Sequence, residues 1–216
     1  MPRRPEEIPS DLLRAAEGAA GETLQIERYV PRRDVWRAAG ERVFAFVAGG
    51  EPGRRHLVRD AALYAWAAGE GIPVPQVLTL VPEAGYMIVE RVPTDPPRGP
   101  VYVDRSASVA VHLARATPPG PEVLRDVPRR EPRSVTAPLR LARMRSIPLD
   151  RREVASVRRR FAALPTTSLA HGDFHHNNVL FDSGKARVHV VDLEFLGPAP
   201  AGLDCATMWG SLVLPE

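Results

Sequence analysis

The segment LAHGDFHHNNVLFDSGKARVHVVDLEF, residues 169–195, decides the reading of this chain. Two short apolar, β-prone runs, Val179 to Phe181 and Val188 to Val191, flank the tight-turn signal Asp182-Ser183-Gly184-Lys185, a pattern that predicts a β-hairpin. Asn178 opens the first strand and Asp192 closes the second, so the hairpin sets them opposite each other at its open end. A carboxamide oxygen and a carboxylate are hard oxygen ligands of the kind Mg2+ takes alongside phosphates. Asp173, five residues before Asn178, is delivered to the same end by the intervening loop. Two carboxylates and an amide gathered at one edge are poorly explained by packing.

The loop's three histidines, His171, His175 and His176, admit another reading as a zinc cluster. Gly172 stands where a helical zinc motif carries glutamate, and the loop has no helical pattern, so that reading is set aside.

Outward from this segment, a last apolar helix is expected from Leu203, and helices at about 104–116, 136–144 and 150–163 before it. The run VPTDPPRGP (92–100) carries four prolines, each lacking a backbone donor, and cannot continue a helix or a central strand. A boundary is placed there, giving an N-terminal part of residues 1–91 and a C-terminal part of residues 92–216. The first part reads as a helix (11–20), three β-prone runs (23–30, 34–38 and 43–49), a helix from Arg55 to Gly69, and a second hairpin from QVLTLVP and YMIVERV. The order is β-rich, then α-rich. The proline-rich stretch 118–137 reads as a surface connection.

Composition bounds the class. With 44% apolar residues, 216 residues suffice for one large domain or two small lobes. The single cysteine, Cys205, excludes an internal disulfide and a multi-cysteine metal site. The N-terminus lacks an apolar secretory core, and no run approaches the roughly 18 apolar residues of a membrane span, so a cytoplasmic protein with no membrane partner is expected. The net charge of +3 invites nucleic acid, but Lys185 is the only lysine among 29 basic residues, a skew that looks like codon bias. The densest basic run, DRREVASVRRR (150–160), has no aromatics interleaved as stacking platforms. It reads as a solvated helix, and nucleic acid is not expected as a partner.

HGDFHHNN (171–178) resembles the H-G-D-x-x-x-x-N loop of the aminoglycoside phosphotransferase and choline kinase superfamily, itself related to the H-R-D-x-x-x-x-N loop of protein kinases. VVDLEF (190–195) resembles the family's form of the D-F-G metal site, and GPAPAGLDCATMW (197–209) its G-P-x-x-x-D-L-A segment. LVRDAALYAWAAGEGIPVPQVL (57–78) is similar to the helix and strand entry of its first lobe. The match is strong over 169–209 and weak over about 43–92. It implies an α+β, two-lobed, protein-kinase-like fold, with a small antiparallel sheet in a nucleotide-binding lobe and a mostly helical catalytic lobe.

The function it implies is transfer of the γ-phosphate of ATP, with Mg2+, to a hydroxyl of a small molecule such as an aminoglycoside-like antibiotic, a sugar or an amino alcohol. Residue by residue, the resemblance makes Asp173 the catalytic group at the acceptor hydroxyl and Asn178 and Asp192 the metal ligands. It makes His171 and Asp204 supports of the loop, with Glu194 near the metal, and has Glu90 to Val92 offer backbone groups to adenine. Plainer readings stand beside three of these: Asp204 as a helix cap, Glu194 as a solvated charge and Asp173 as a turn residue.

The sequence also departs from the family. RVFAFVAGG (42–50) lacks the phosphate-binding lysine expected on the third strand, and Asp60 stands where its glutamate partner would be. Arg37 is the first expected substitute, held by Asp60, with the Arg54–Arg55 pair as another. The first hairpin has YVPRRDV (29–35) rather than a glycine-rich loop, so Arg32 and Arg33 would reach phosphates through side chains. Family members continue for several helices past the metal aspartate, so the C-terminal lobe is expected to be short. These departures keep open a second function, a catalytically weak relative that binds nucleotide or a partner.

Overall fold

The computed structural model describes residues 8–97, 99–124 and 150–213. The chain divides into two compact units, Met1–Pro93 and Thr94–Glu216.

The first unit is built on a five-stranded antiparallel sheet of order β1-β2-β3-β5-β4, formed by β1 (Gln25–Val30), β2 (Val35–Ala39), β3 (Val43–Ala48), β4 (Val77–Val81) and β5 (Tyr86–Glu90). Alternation along the strands gives the sheet two apolar faces. Ala45, Val47 and Ile88 pack with Ala16 of helix α1 (Ser10–Ala20). Met87, Val89 and Val35 pack with Leu57 of helix α2 (Glu51–Gly69). The helices therefore cover opposite faces. Helix α2 begins four residues earlier than the expected Arg55, because Gly50 is extended and Pro52 is accommodated in the first turn, where no intrahelical donor is required.

The β1–β2 turn is braced from several sides. Asp34 adopts a left-handed conformation with φ of 52°, an uncommon state for a non-glycine residue. Its carboxylate accepts from Tyr29 Oη at 2.7 Å, and its carbonyl accepts from the Gly49 N–H at 2.7 Å. The turn that carries Arg32 and Arg33 is thus fixed rather than free to sample.

In the second unit, helix α3 (Gly99–Arg115) starts ahead of the expected residue 104, again with proline, Pro100, in its first turn. A short helix α4 (Pro121–Leu124) and helix α5 (Arg151–Ala162) follow, and the expected helix at 136–144 lies outside the described residues. Asp150 caps α5 by accepting from the Arg152 N–H at 2.8 Å. Phe161 docks this helix on Ala170, Ala199 and Leu203, while its arginines 151, 152 and 158–160 stay exposed.

The predicted hairpin forms from β7 (Val179–Asp182) and β8 (Arg187–Val190), with Val179 opposite Val190. A second small sheet pairs β6 (Ser168–Ala170) with β9 (Gly197–Ala199), a partner not expected from the sequence. Asp95, between prolines, bridges to Phe181 and accepts from the Ser183 N–H at 2.9 Å, fastening the start of this unit to the hairpin. Helix α6 (Leu203–Val213) closes the described chain. Tyr102 of α3 sends its hydroxyl toward the Val179 carbonyl (3.4 Å) and Met208 of α6 (3.7 Å). No helix among the described residues is long and apolar enough to cross a membrane.

Candidate active site

The loop from His171 to Asn178 leaves β6 and enters β7, and its path is set by one buried carboxylate. Asp204, at the start of α6, accepts from the His171 N–H at 2.7 Å and the Gly172 N–H at 3.2 Å. Burial pushes the Asp204 carboxyl above the usual carboxylate range, opposed by these two backbone donors. Asp204 is therefore more than a cap for its own helix. Gly172 is required on two counts: its φ is 81°, and a Cβ there would lie 2.6 Å from the Phe195 carbonyl oxygen.

His171 is fully buried, with its Nδ1 accepting from the Asp173 N–H at 3.2 Å and its Nε2 2.8 Å from the Val191 carbonyl. A ring nitrogen that accepts a backbone N–H carries no proton, so Nε2 is the donor to Val191. Phe174, also fully buried, packs edge-on against the His171 ring. These contacts tie the loop to the end of β8. Both His171 and His175 have Nδ1 engaged with a backbone N–H, which leaves little of the zinc reading.

Asp173 and Asn178 are brought together. The Asn178 amide nitrogen donates to the Asp173 carbonyl at 3.0 Å and lies 3.4 Å from its Oδ2. With that nitrogen turned to Asp173, the amide oxygen faces away from it. Val179 pairs with Val190 and the Val191 N–H donates to the Asn178 carbonyl at 3.0 Å, so Asn178 faces Val191 rather than the expected Asp192, which follows one residue on at the same hairpin end. Asp192 has φ of 62° and ψ of 52°, a left-handed conformation that a non-glycine residue adopts only where its surroundings enforce it. Glu194 is buried in the short 3-10 turn Leu193–Phe195, which removes its reading as a solvated charge.

Among the described residues no three His, Cys, Asp or Glu side chains converge on a common point for a metal. An amide oxygen and one carboxylate at a hairpin end suit a cation that takes its remaining ligands from phosphates and water, which is the habit of Mg2+ rather than Zn2+ or Ca2+.

In the first unit, the expected pairing of Arg37 with Asp60 does not form. Arg37 on β2 pairs with Glu27 on β1 at 2.5 Å and lies over the Phe44 ring, 5.2 Å from its centroid. Asp60 on α2 is held instead by Arg33 of the β1–β2 turn and by Arg59, each at 3.3 Å. The Arg33 and Asp60 side chains are 14% and 15% exposed, so this pair is shielded where most surface pairs are not. On β3, where the family resemblance implies a lysine, Phe46 packs with the α2-side core and Phe44 lies under the Arg37 and Arg91 guanidinium groups. The Glu90 N–H donates to the Gln76 carbonyl and the Arg91 N–H to the Arg42 carbonyl, so neither donor is left for adenine, while Val92 is buried.

A family model for the phosphotransferase enzyme family matches residues 32–216. The chain belongs to this family. Among solved structures it is similar to an aminoglycoside-3'-phosphotransferase of type VIII, at 26% identity and a TM-score of 0.57, with 95% of this chain and 84% of that chain covered. It is also similar to the ADP-bound aminoglycoside phosphotransferase APH(2'')-Ib, at 11% identity and a TM-score of 0.62, covering 91% and 74%. A choline/ethanolamine kinase family protein from Mesorhizobium loti matches at 19% identity and a TM-score of 0.54, covering 90% and 69%. No curated protein matches the sequence. The α+β, two-lobed, protein-kinase-like fold of the phosphotransferase family is thus the fold of this chain.

Two features of the site escaped the sequence. The Arg33–Asp60 pair joins residues 27 positions apart, and only the left-handed Asp34 turn aims Arg33 at α2. The His175 contact described below is hidden in a motif position that the family pattern leaves unspecified. For the brace itself, Asp204→Ala strands two buried backbone donors and is expected to lower stability by roughly 3 kcal/mol. Denaturant unfolding measures that loss, and native-state amide exchange should show His171 and Gly172 losing protection ahead of the rest of the unit.

Proposed function

We propose that this phosphotransferase moves the γ-phosphate of ATP to a hydroxyl group of a small molecule. The observation that carries the reading is the gathering of Asp173 and Asn178 by direct side-chain contact, with left-handed Asp192 at the same end of one hairpin. The second unit is read as the catalytic lobe and the first as the nucleotide lobe. Asp173 receives or orients the acceptor's hydroxyl proton. The hydroxyl oxygen forms its bond to the γ-phosphorus as the bond from that phosphorus to the β-phosphate oxygen breaks, and ADP leaves.

Asn178 and Asp192 would hold Mg2+, which when bound neutralises charge on the transferring phosphate oxygens. His171 and Asp204 keep the loop in register, and buried Glu194 supports the turn that follows Asp192. The carbonyl of Glu90 and the backbone of Val92 are assigned to adenine. In the first unit Arg33, anchored by Asp60, takes the place of the missing lysine at the phosphates, and Arg37 does not. A guanidinium already oriented by a carboxylate loses less freedom on meeting a phosphate than an unrestrained one. The acceptor is read as an aminoglycoside, a sugar or an amino alcohol, since solved relatives in the fold include complexes named for gentamicin and streptomycin and a choline/ethanolamine kinase family protein.

Labelled ATP incubated with Mg2+ and gentamicin, streptomycin, choline and a set of sugars tests the activity. Transfer to at least one acceptor is expected, and Asp173→Asn should lower its turnover about 10²-fold or more while ATP affinity and melting temperature stay near wild type. A wild type that binds ATP but transfers to none of these favours the alternative of a catalytically weak nucleotide-binding relative, motivated by Phe44 and Phe46 in place of a lysine. For the phosphate contact, Arg33→Ala is expected to weaken ATP binding about tenfold, the scale of one charge-assisted hydrogen bond, and Arg37→Ala less than about threefold. Calorimetry showing the reverse order would return the assignment to Arg37.

A further inference from the structure

Two histidines of the loop, His171 and His175, use their rings in the same way. The Asp173 N–H donates to His171 Nδ1, and the Asn177 N–H donates to His175 Nδ1, each from the residue two positions on and each at 3.2 Å. An imidazole nitrogen that accepts a hydrogen bond is unprotonated, so in both rings the proton sits on Nε2. The two rings differ in where that proton points. In His171 it meets the Val191 carbonyl, a purely structural end. In His175 it faces Asp173 Oδ2 at 3.6 Å, in a pair whose side chains are 4% and 14% exposed.

We infer that His175 is a positioning residue for phosphoryl transfer, holding the Asp173 carboxylate through its Nε2–H; the inference rests on Asp173 being the proton-accepting group. Two donors converge on the same oxygen, the Asn178 amide at 3.4 Å and the His175 imidazole at 3.6 Å. Both bear on that one oxygen, Oδ2. His175 is itself 3% exposed, so its ring cannot turn away into solvent, and its tautomer is dictated by the loop's own backbone. Without it, Asp173 keeps its charge but loses the direction of that charge.

Two substitutions separate this from a merely structural role. A glutamine amide reaches the place of Nε2, and an asparagine amide the place of Nδ1. His175→Gln therefore keeps a donor to Asp173 and gives up the acceptor for the Asn177 N–H, whereas His175→Asn does the opposite. Release of labelled phosphate from Mg·ATP to water, the simplest hydroxyl acceptor, is the probe, with KM for ATP and melting temperature measured alongside.

His175→Asn is expected to lower kcat about 10- to 100-fold at unchanged KM, the usual cost of losing a partner that orients a reacting group, and His175→Gln to stay within about fivefold of wild type. Asparagine performing as wild type while glutamine loses activity and stability together would overturn the inference. Long-range proton–nitrogen correlation spectra supply a readout independent of turnover. A protonated Nε2 on His175 whose resonance moves in Asp173→Asn supports the contact, and a protonated Nδ1 refutes it. A wild type that releases no phosphate would count against the phosphotransferase reading, while the spectra would still decide whether His175 holds Asp173.

Discussion

A carboxylate taken out of water is costly, and this fold keeps one only because it organises everything around it. Asp204 is buried, and it accepts from two successive backbone N–H groups, those of His171 and Gly172. The chain at that point turns through a left-handed glycine packed against the Phe195 carbonyl. It therefore cannot continue as a strand and must pass beneath the hairpin end. His171 then fastens to Val191, Asp173 and Asn178 close on each other, and the hairpin register sets Asp192 beside them. Each later contact presupposes the first. The price of burying Asp204 is recovered in the order it imposes on eight loop residues that hold almost no secondary structure of their own.

The first unit solves its electrostatic problem differently from the pattern the family resemblance suggests. Strand β3 carries Phe44 and Phe46 rather than a cation: Phe46 packs toward α2, and Phe44 lies beneath the Arg37 and Arg91 guanidinium groups. Arg33, the cation proposed for the phosphates, lies in a turn, and a turn is a poor platform unless it is rigid. Left-handed Asp34, held by Tyr29 and Gly49, supplies that rigidity. Asp60 meets two guanidinium groups, Arg33 and Arg59, and the shielded pair is preorganised in a way that exposed arginines are not.

Much of this could be read from the sequence because its local signals agree with one another. The hairpin of residues 179–190 is legible from a turn signal between two apolar runs, but its register is one residue off the expected one: Val179 pairs with Val190, so Asn178 faces Val191 and Asp192 follows one residue on. The antiparallel strands of the first unit and the helix ending before Gly71 are legible for the same reason. What stayed hidden was non-local or depended on backbone state. Gly197 to Ala199 lacks β-branched residues and contains a proline, so nothing marked it as the partner of β6. Glycine and proline at 99 and 100 read as a break, yet proline is at ease in a first turn, and α3 begins there. Arg37 is the natural arginine to choose by strand position, but Glu27, in the bulge of β1 next to Arg37's register partner Arg28, takes it as an ion pair. The burial of Glu194 depends on the turn after Asp192, which no periodicity announces.

The central claim is that the hairpin end formed by Asn178 and Asp192 carries a divalent cation that joins nucleotide to protein. Asp192→Asn keeps the size of the side chain and removes the charge that would bind the metal. Calorimetric titration of ATP into wild type and this variant, with and without Mg2+, measures the claim directly. The account predicts that Mg2+ strengthens ATP binding in the wild type and that this enhancement is largely lost in the variant, with the melting temperature little changed. An equal Mg2+ enhancement in both proteins would contradict it and remove Asp192 from the site.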